Sequence, residues 1–158
     1  MDLLYKKGDI IIKLNLGCGK DIKKNWLNYD IQPVSRDIEY LDLNNLPLPF
    51  PNNYADEILL SHVFEHLSIN HLDCMREISR ICKKGGKVMI RVPGNKNICE
   101  HEKVFFTSSY LNKLSNDYKM FSEIKSTYQF HKISDIIYKV KEWLFYLIVK
   151  EFKYELKK

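Results

Sequence analysis

The apolar run Ile11-Ile12-Lys13-Leu14-Asn15-Leu16 ends abruptly in Gly17-Cys18-Gly19. A run of this kind, cut off by glycines, reads as a buried strand turning sharply where a ligand comes close to the backbone. A short distance on, Asn28-Tyr29-Asp30-Ile31 ends a second short apolar stretch in a carboxylate. A carboxylate there is an acceptor for a pair of ribose hydroxyls, as in nucleotide-binding βαβ units. A Gly-x-Gly alone says little. The motifs downstream of it, and their order, give it meaning.

Strand-like and helix-like segments alternate along the chain, the pattern of a parallel sheet covered by helices. Strands are expected at residues 13–16, 26–30 and 55–61, with a third extended piece ending at Asp42-Leu43. Pro47-Leu48-Pro49-Phe50-Pro51 is a proline-stiffened loop. Residues 71–82 carry Leu72, Met75, Ile78, Ser79 and Cys82 at near-helical spacing. Gly85-Gly86 is expected to stop that helix, after Lys83-Lys84 at the negative end of its dipole. Residues 87–92 form a β-prone fifth strand, and Thr107 or Ser108 can cap a helix running to Leu114. Residues 119–128 and 143–153 read as two further strands with a short helix between them, and residues 143–149 as the buried last strand.

The 158 residues suit one core, so a single domain over 1–158 is expected, with its core motifs within 11–114 and C-terminal strands within 119–155. No uninterrupted apolar run of about 18 residues is present, so no membrane span is expected. The first residues lack the apolar centre of a signal peptide. Cys18, Cys74, Cys82 and Cys99 make no CxxC pair, which fits a reducing, cytoplasmic location. A net charge of +5 permits a nucleic-acid partner without requiring one.

In this order the motifs closely resemble the class I S-adenosylmethionine-dependent methyltransferases, in their compact type 11-like subgroup. The matching pieces are LNLGCG at 14–19, W-x-N-x-D at 26–30, LPFP at 48–51, SHVxEHL at 61–67, REIxRxxKxGG at 76–86 and RVP at 91–93. The resemblance covers roughly residues 11–114. It implies a doubly wound, Rossmann-like α/β sheet of seven strands, mostly parallel with an antiparallel last strand. Two positions depart from the pattern. Asn25 replaces a glycine, tolerable because Asn accepts left-handed backbone, and Lys84 replaces a proline. A nicotinamide-binding Rossmann domain is the rival reading. The third glycine that such a domain places against the pyrophosphate is absent, since Lys20-Asp21-Ile22 comes after Gly19. The spacing to Asp30 also leaves room for little more than a turn of helix.

The resemblance implies S-adenosylmethionine as cofactor and S-adenosylhomocysteine as product. By matched position, Gly17, Cys18 and Gly19 pass beneath the methionine part, with Cys18 a small residue tolerated between glycines rather than a nucleophile. Asp30, with Ile31 beside it, meets the ribose. Asp42 and Leu43 meet the adenine, unless Asp42 is only a solvated loop carboxylate. Ser61 and His62 stand where the sulfonium is expected.

The candidate catalytic set is His62, Glu65 and His66, with His101 and its neighbour Glu102 after the fifth strand. On a helix the first three share one face. They can serve as base or substrate contact, or as structural capping and packing groups. Metal binding is a third possibility, because some relatives use a Glu-x-x-Glu-His set there, but none is expected. His71 and His131 read as surface residues.

Two acceptor classes are weakened. The corner after the fourth strand, Ser61-His62-Val63-Phe64, lacks the Asn/Asp-Pro-Pro-aromatic pattern that orients a flipped base, and no cysteine comes directly after a proline. An oxygen on a small molecule, sugar or glycan is therefore expected, with nucleic acid or protein as the alternative. Little chain is left over for a lid, so the acceptor pocket is open, made for a large substrate, or completed by a second subunit in a homodimer. A non-catalytic adenosylmethionine-binding partner subunit is the contrasting class.

Overall fold

The structure, a computed structural model, describes residues 10–93, 120–121, 123–130 and 149–158. Five parallel strands come first: β1 (Lys13–Leu16), β2 (Leu27–Asp30), β3 (Ile38–Tyr40), β4 (Ala55–Ser61) and β5 (Cys82–Pro93). β6 (Glu123–Phe130) and β7 (Val149–Lys157) complete a seven-stranded sheet in the order β3-β2-β1-β4-β5-β7-β6. β7 runs antiparallel to both its neighbours. This is the mostly parallel, Rossmann-like architecture the sequence leads one to expect. Its strand order reverses between β1 and β4, the place where open α/β sheets bind ligands.

Burial explains the central strands. Leu14, Asn15 and Leu16 of β1 and Ile58, Leu59 and Leu60 of β4 are all buried, so these strands are covered on both faces. In β5 the pattern alternates: Val88, Ile90 and Val92 are fully buried, and Lys87, Met89 and Arg91 between them are partly exposed. β7 matches this, with Leu156 opposite Val88 and Tyr154 opposite Ile90, both buried. The described last strand is Val149–Lys157, which meets the expected 143–153 at residues 149–153 and runs past it. Most of the expected stretch lies outside the described residues, as do the residues where a short helix is expected between the last two strands. The strand expected at 119–128 is Glu123–Phe130, and the third is Ile38–Tyr40, with Asp42 and Leu43 in the turn beyond it.

Helix α1 (His71–Ile81) starts at Asn70, whose side chain accepts the N–H of Leu72 at 2.8 Å. Cys74, Met75, Ile78 and Ile81 form its buried stripe against the sheet. Gly85-Gly86 does not stop this helix. Cys82 is already extended and pairs with Ala55, so the helix ends at Ile81 and the glycines lie within β5. Gly86 serves packing instead: a Cβ there would stand 2.8 Å from the Cys82 sulfur and 2.9 Å from the Lys83 carbonyl.

The proline loop is held by α1. Arg80 donates to both carboxylate oxygens of Glu77, at 2.8 and 2.6 Å, and to the carbonyls of Phe50 and Leu48. Glu77 also accepts the Leu48 N–H at 2.7 Å. The REIxR and LPFP motifs are thus two halves of one clamp.

Candidate active site

Two backbone hydrogen bonds form the glycine turn. The N–H groups of Gly17 and Cys18 both donate to the Tyr29 carbonyl, at 2.9 and 3.0 Å, so the chain leaving β1 curls over the end of β2. Gly19 N–H then donates to Asp30 Oδ2 at 2.7 Å, and Asp30 Oδ1 accepts from Gln32 N–H at 2.9 Å. Gly17 and Gly19 have φ of +68° and +52°, which a side-chain-bearing residue adopts only at a cost. Their surroundings differ. A Cβ on Gly17 would lie 2.3 Å from a methyl of Val63, whereas one on Gly19 would have no atom within 4 Å. The first glycine is closed against the protein and the second opens outward beside Asp30.

A buried amide pair supports the turn. Asn15 Nδ2 donates to Asn28 Oδ1 at 2.9 Å and to the Asp21 carbonyl at 2.8 Å, and Asn28 holds the Lys23 N–H and the carbonyls of Lys23 and Trp26. Neither asparagine stands out as functional in the sequence. The available signal is Asn15 between two buried leucines, where a buried amide needs partners. Residues 20–26 make turns rather than a turn of α-helix, and Asn25 takes φ +64°, the left-handed backbone expected where it replaces glycine.

At the end of β4, His62 has φ +54° and donates its N–H to the Arg91 carbonyl at 2.9 Å. A 3-10 helix, Phe64–His66, comes next. His62 therefore lies outside any helix, and the helical face expected for His62, Glu65 and His66 is not formed. Glu65 is buried with its Oε1 3.6 Å from His62 Nδ1, while His66 is exposed. The difference comes from the tighter 3-10 turn and the reversed backbone at His62. His71 is not a surface residue: it is buried and its ring lies 4.5 Å from that of Phe64. Burial pushes its pKa below 6.5, against a hydrogen bond to the Phe64 backbone that acts the other way. His101, Glu102, His131 and residues 107–114 lie outside the described residues.

The remaining expected contacts are spread out. Asp42 Oδ1 accepts from the backbone and side-chain N–H of Asn44, whose own oxygen accepts the Ser68 N–H at 2.7 Å. This ties the turn after β3 to the loop after the 3-10 helix. Leu43 is packed in the core, and Ile31 is exposed beside Asp30. Burial, with the Asp30 charge behind it, pushes the Cys18 thiol up, which does not suit a nucleophile. Among the described residues no three of His, Cys, Asp and Glu gather to hold a metal ion.

The family model described as a methyltransferase domain matches residues 14–90, from β1 to the middle of β5. Residues 14–90 thus have the sequence of a methyltransferase domain. A chain from a SAM-dependent methyltransferase of Archaeoglobus fulgidus has the same fold, with TM-score 0.69 at 16% identity, covering 94% of this chain and 86% of that one. A chain from the complex between the Haloferax volcanii Trm112 methyltransferase activator and a methyltransferase matches with TM-score 0.63 at 14% identity, covering 93% and 82%. An uncharacterised protein of Methanocaldococcus jannaschii is 31% identical over 126 residues, 73% of this chain and 50% of that protein. The chain thus spans half the length of that relative. No helix among the described residues is long and apolar enough to cross a membrane.

A methyltransferase domain of this class implies S-adenosylmethionine as the methyl donor. The domain's own residues fit it. The acceptor carboxylate of Asp30, the open space over Gly19 and the outward backbone of the turn all meet at the carboxyl ends of β1 and β2.

Proposed function

We propose that this chain transfers a methyl group from S-adenosylmethionine to an oxygen on a small molecule, sugar or glycan, in the cytoplasm. The observation that carries the reading is the union of Asp30 with the Gly19 amide at 2.7 Å, at the carboxyl ends of β2 and β1 and next to the point where the strand order reverses. Asp30 receives the ribose hydroxyls, and the 17–19 turn lies under the methionine part. When bound, the donor supplies an electrophilic methyl on a sulfonium, which leaves as neutral sulfur with the bonding pair and needs no acid. What remains for the chain is to align the acceptor and take its proton.

We assign that task to His62. It stands at the mouth of β4, about half exposed, with its backbone held by Arg91 and its Nδ1 facing the buried Glu65 carboxylate. With Nδ1 turned to Glu65, Nε2 is the nitrogen that takes the acceptor's hydroxyl proton. Glu65 orients the ring and faces the positive charge it acquires.

Calorimetry with S-adenosylhomocysteine, combined with transfer of labelled methyl into fractionated cell extract, tests the reading. Binding, together with label incorporated as a base-labile or ether methyl on a small molecule, supports it. Binding without transfer into any fraction turns the reading to a non-catalytic partner subunit. Absence of binding rejects it.

A further inference from the structure

The connection from β1 to β2 is short and carries no helix. No residue from 17 to 26 is helical, and the next strand begins at Leu27. A helix would settle its own backbone groups by hydrogen bonds along its axis. A run of turns beside a ligand site needs another source of order, because its amides and carbonyls must find partners elsewhere.

Asn15 and Asn28 supply that order. They face each other in register across β1 and β2, and both are buried, at 2% and 5% exposure. The Asn28 amide is fully engaged. Its Oδ1 accepts from Asn15 Nδ2 and from the Lys23 N–H, both at 2.9 Å, and its Nδ2 donates to the carbonyls of Lys23 and Trp26 at 3.1 and 3.0 Å. Asn15 gives its second hydrogen to the Asp21 carbonyl at 2.8 Å. A buried amide pair with this many partners selects one arrangement of the loop, since a shift leaves a polar group unsatisfied away from water.

The order reaches Gly19 directly. The Asp21 N–H donates to the Cys18 carbonyl at 2.8 Å, so residues 18–21 are a closed turn with Gly19 inside it. Asn15 fixes the far end of that turn through the Asp21 carbonyl. On the other strand, Asn28 precedes Asp30 by two residues and shares its face of the sheet. The Gly19–Asp30 hydrogen bond at the mouth and the Asn15–Asn28 bond beneath it therefore link the same two parts of the chain, one rung above the other.

We propose that Asn15 and Asn28 are positioning residues for the methyl donor: they hold the Gly19 corner against Asp30, so that the carboxylate meets the ribose hydroxyls already oriented. Both act through Gly19 and Asp30 rather than on the donor itself. This role rests on the methyltransferase reading, and it assigns to two buried amides the preorganisation of the donor site. A pair that served the fold alone would raise stability and leave the affinity of the folded chain unchanged.

The test is calorimetry with S-adenosylhomocysteine on the full chain, at a temperature well below the Tm of every variant. Asn15→Leu removes both donated bonds at similar volume and should weaken binding roughly tenfold. Asn28→Asp keeps the two accepted bonds and loses the two donated ones. It should also weaken binding, which keeps the test decisive if Asn15→Leu does not fold. Arg80→Met destabilises the chain at the proline loop and should bind like wild type; an equal loss there would show that affinity merely follows stability, and overturns the role. A double-mutant cycle gives the sharper readout. Asn15→Leu should cost little further affinity once Asp30 is replaced by Ala, whereas independent losses multiply. Wild-type affinity in folded Asn15→Leu and Asn28→Asp, or losses that multiply in full, overturns the positioning role. Failure of the wild-type chain to bind S-adenosylhomocysteine would instead strike the methyltransferase reading. Hydrogen exchange at the Gly19 amide would then still report on the corner: faster exchange in Asn15→Leu supports the hold on Gly19, and equal exchange overturns it.

Discussion

The carboxylate of Asp30 accepts the backbone N–H of Gly19 at 2.7 Å, which joins the end of β2 to the turn after β1. One side chain therefore both shapes the turn and faces the place proposed for the ribose. Replacing Asp30 by Ala should weaken S-adenosylhomocysteine binding by about 1.5–3 kcal/mol, as for loss of hydrogen bonds to a charged group. Asp30→Asn should lose less, because its amide oxygen can still accept from Gly19. Calorimetry decides the matter, and an alanine variant that binds like wild type would remove Asp30 from the donor site.

Gly17 and Gly19 should respond unequally to alanine. Gly19→Ala adds only the strain of a left-handed backbone, about 1–2 kcal/mol. Gly17→Ala adds that strain and drives its Cβ to within 2.3 Å of Val63, a further cost of about 1–3 kcal/mol from overpacking. Denaturant unfolding should show the larger loss at Gly17, partly recovered by Val63→Ala in the same chain. Equal losses would contradict the packing found around the turn.

The Glu77–Arg80 clamp should be sensitive to loss of one partner. Arg80→Met leaves the buried Glu77 carboxylate uncompensated and releases the Phe50 and Leu48 carbonyls, costing about 2–4 kcal/mol. Adding Glu77→Gln should restore part of the loss, since the glutamine still accepts from Leu48 N–H without a buried charge. A double variant less stable than Arg80→Met alone would show that the charge is not the problem.

His71 should make stability depend on pH. Its folded pKa is lowered from 6.5 by burial, so the unfolded chain binds the extra proton first as pH falls. The contribution is complete above 6.5 and is lost as pH drops through the folded value. Glu77 and Asp56, with pKa values lowered from 4.5 and 3.8, act only in more acidic solution. Between about pH 7.5 and about pH 5.5, Tm should fall in the wild type and fall less in His71→Gln. Parallel curves would assign the slope to another group.

Much of the fold is legible in the sequence because its signals are local. The expected bounds of β1 and β4 coincide with the observed ones, since short apolar runs between turn residues define buried strands. The left-handed backbone at Asn25 is readable from residue type alone. The end of α1 is not, because the pairing of Cys82 with Ala55 outcompetes the glycine signal three residues on. Nor is the position of the last strand, whose alternation is visible only once Tyr154 and Leu156 are set against Ile90 and Val88.

By itself, then, the sequence determined the class of sheet and the glycine turn with Asp30 beyond it, for both depend on neighbouring residues and their backbone preferences. Only the tertiary structure decided how the chemistry is arranged. It separated Glu65 from His66, buried His71, paired Asn15 with Asn28, and set Arg91 between Ser61 and Lys153. Those relationships come from strand register and from contacts between residues far apart in the chain, where no local pattern reaches.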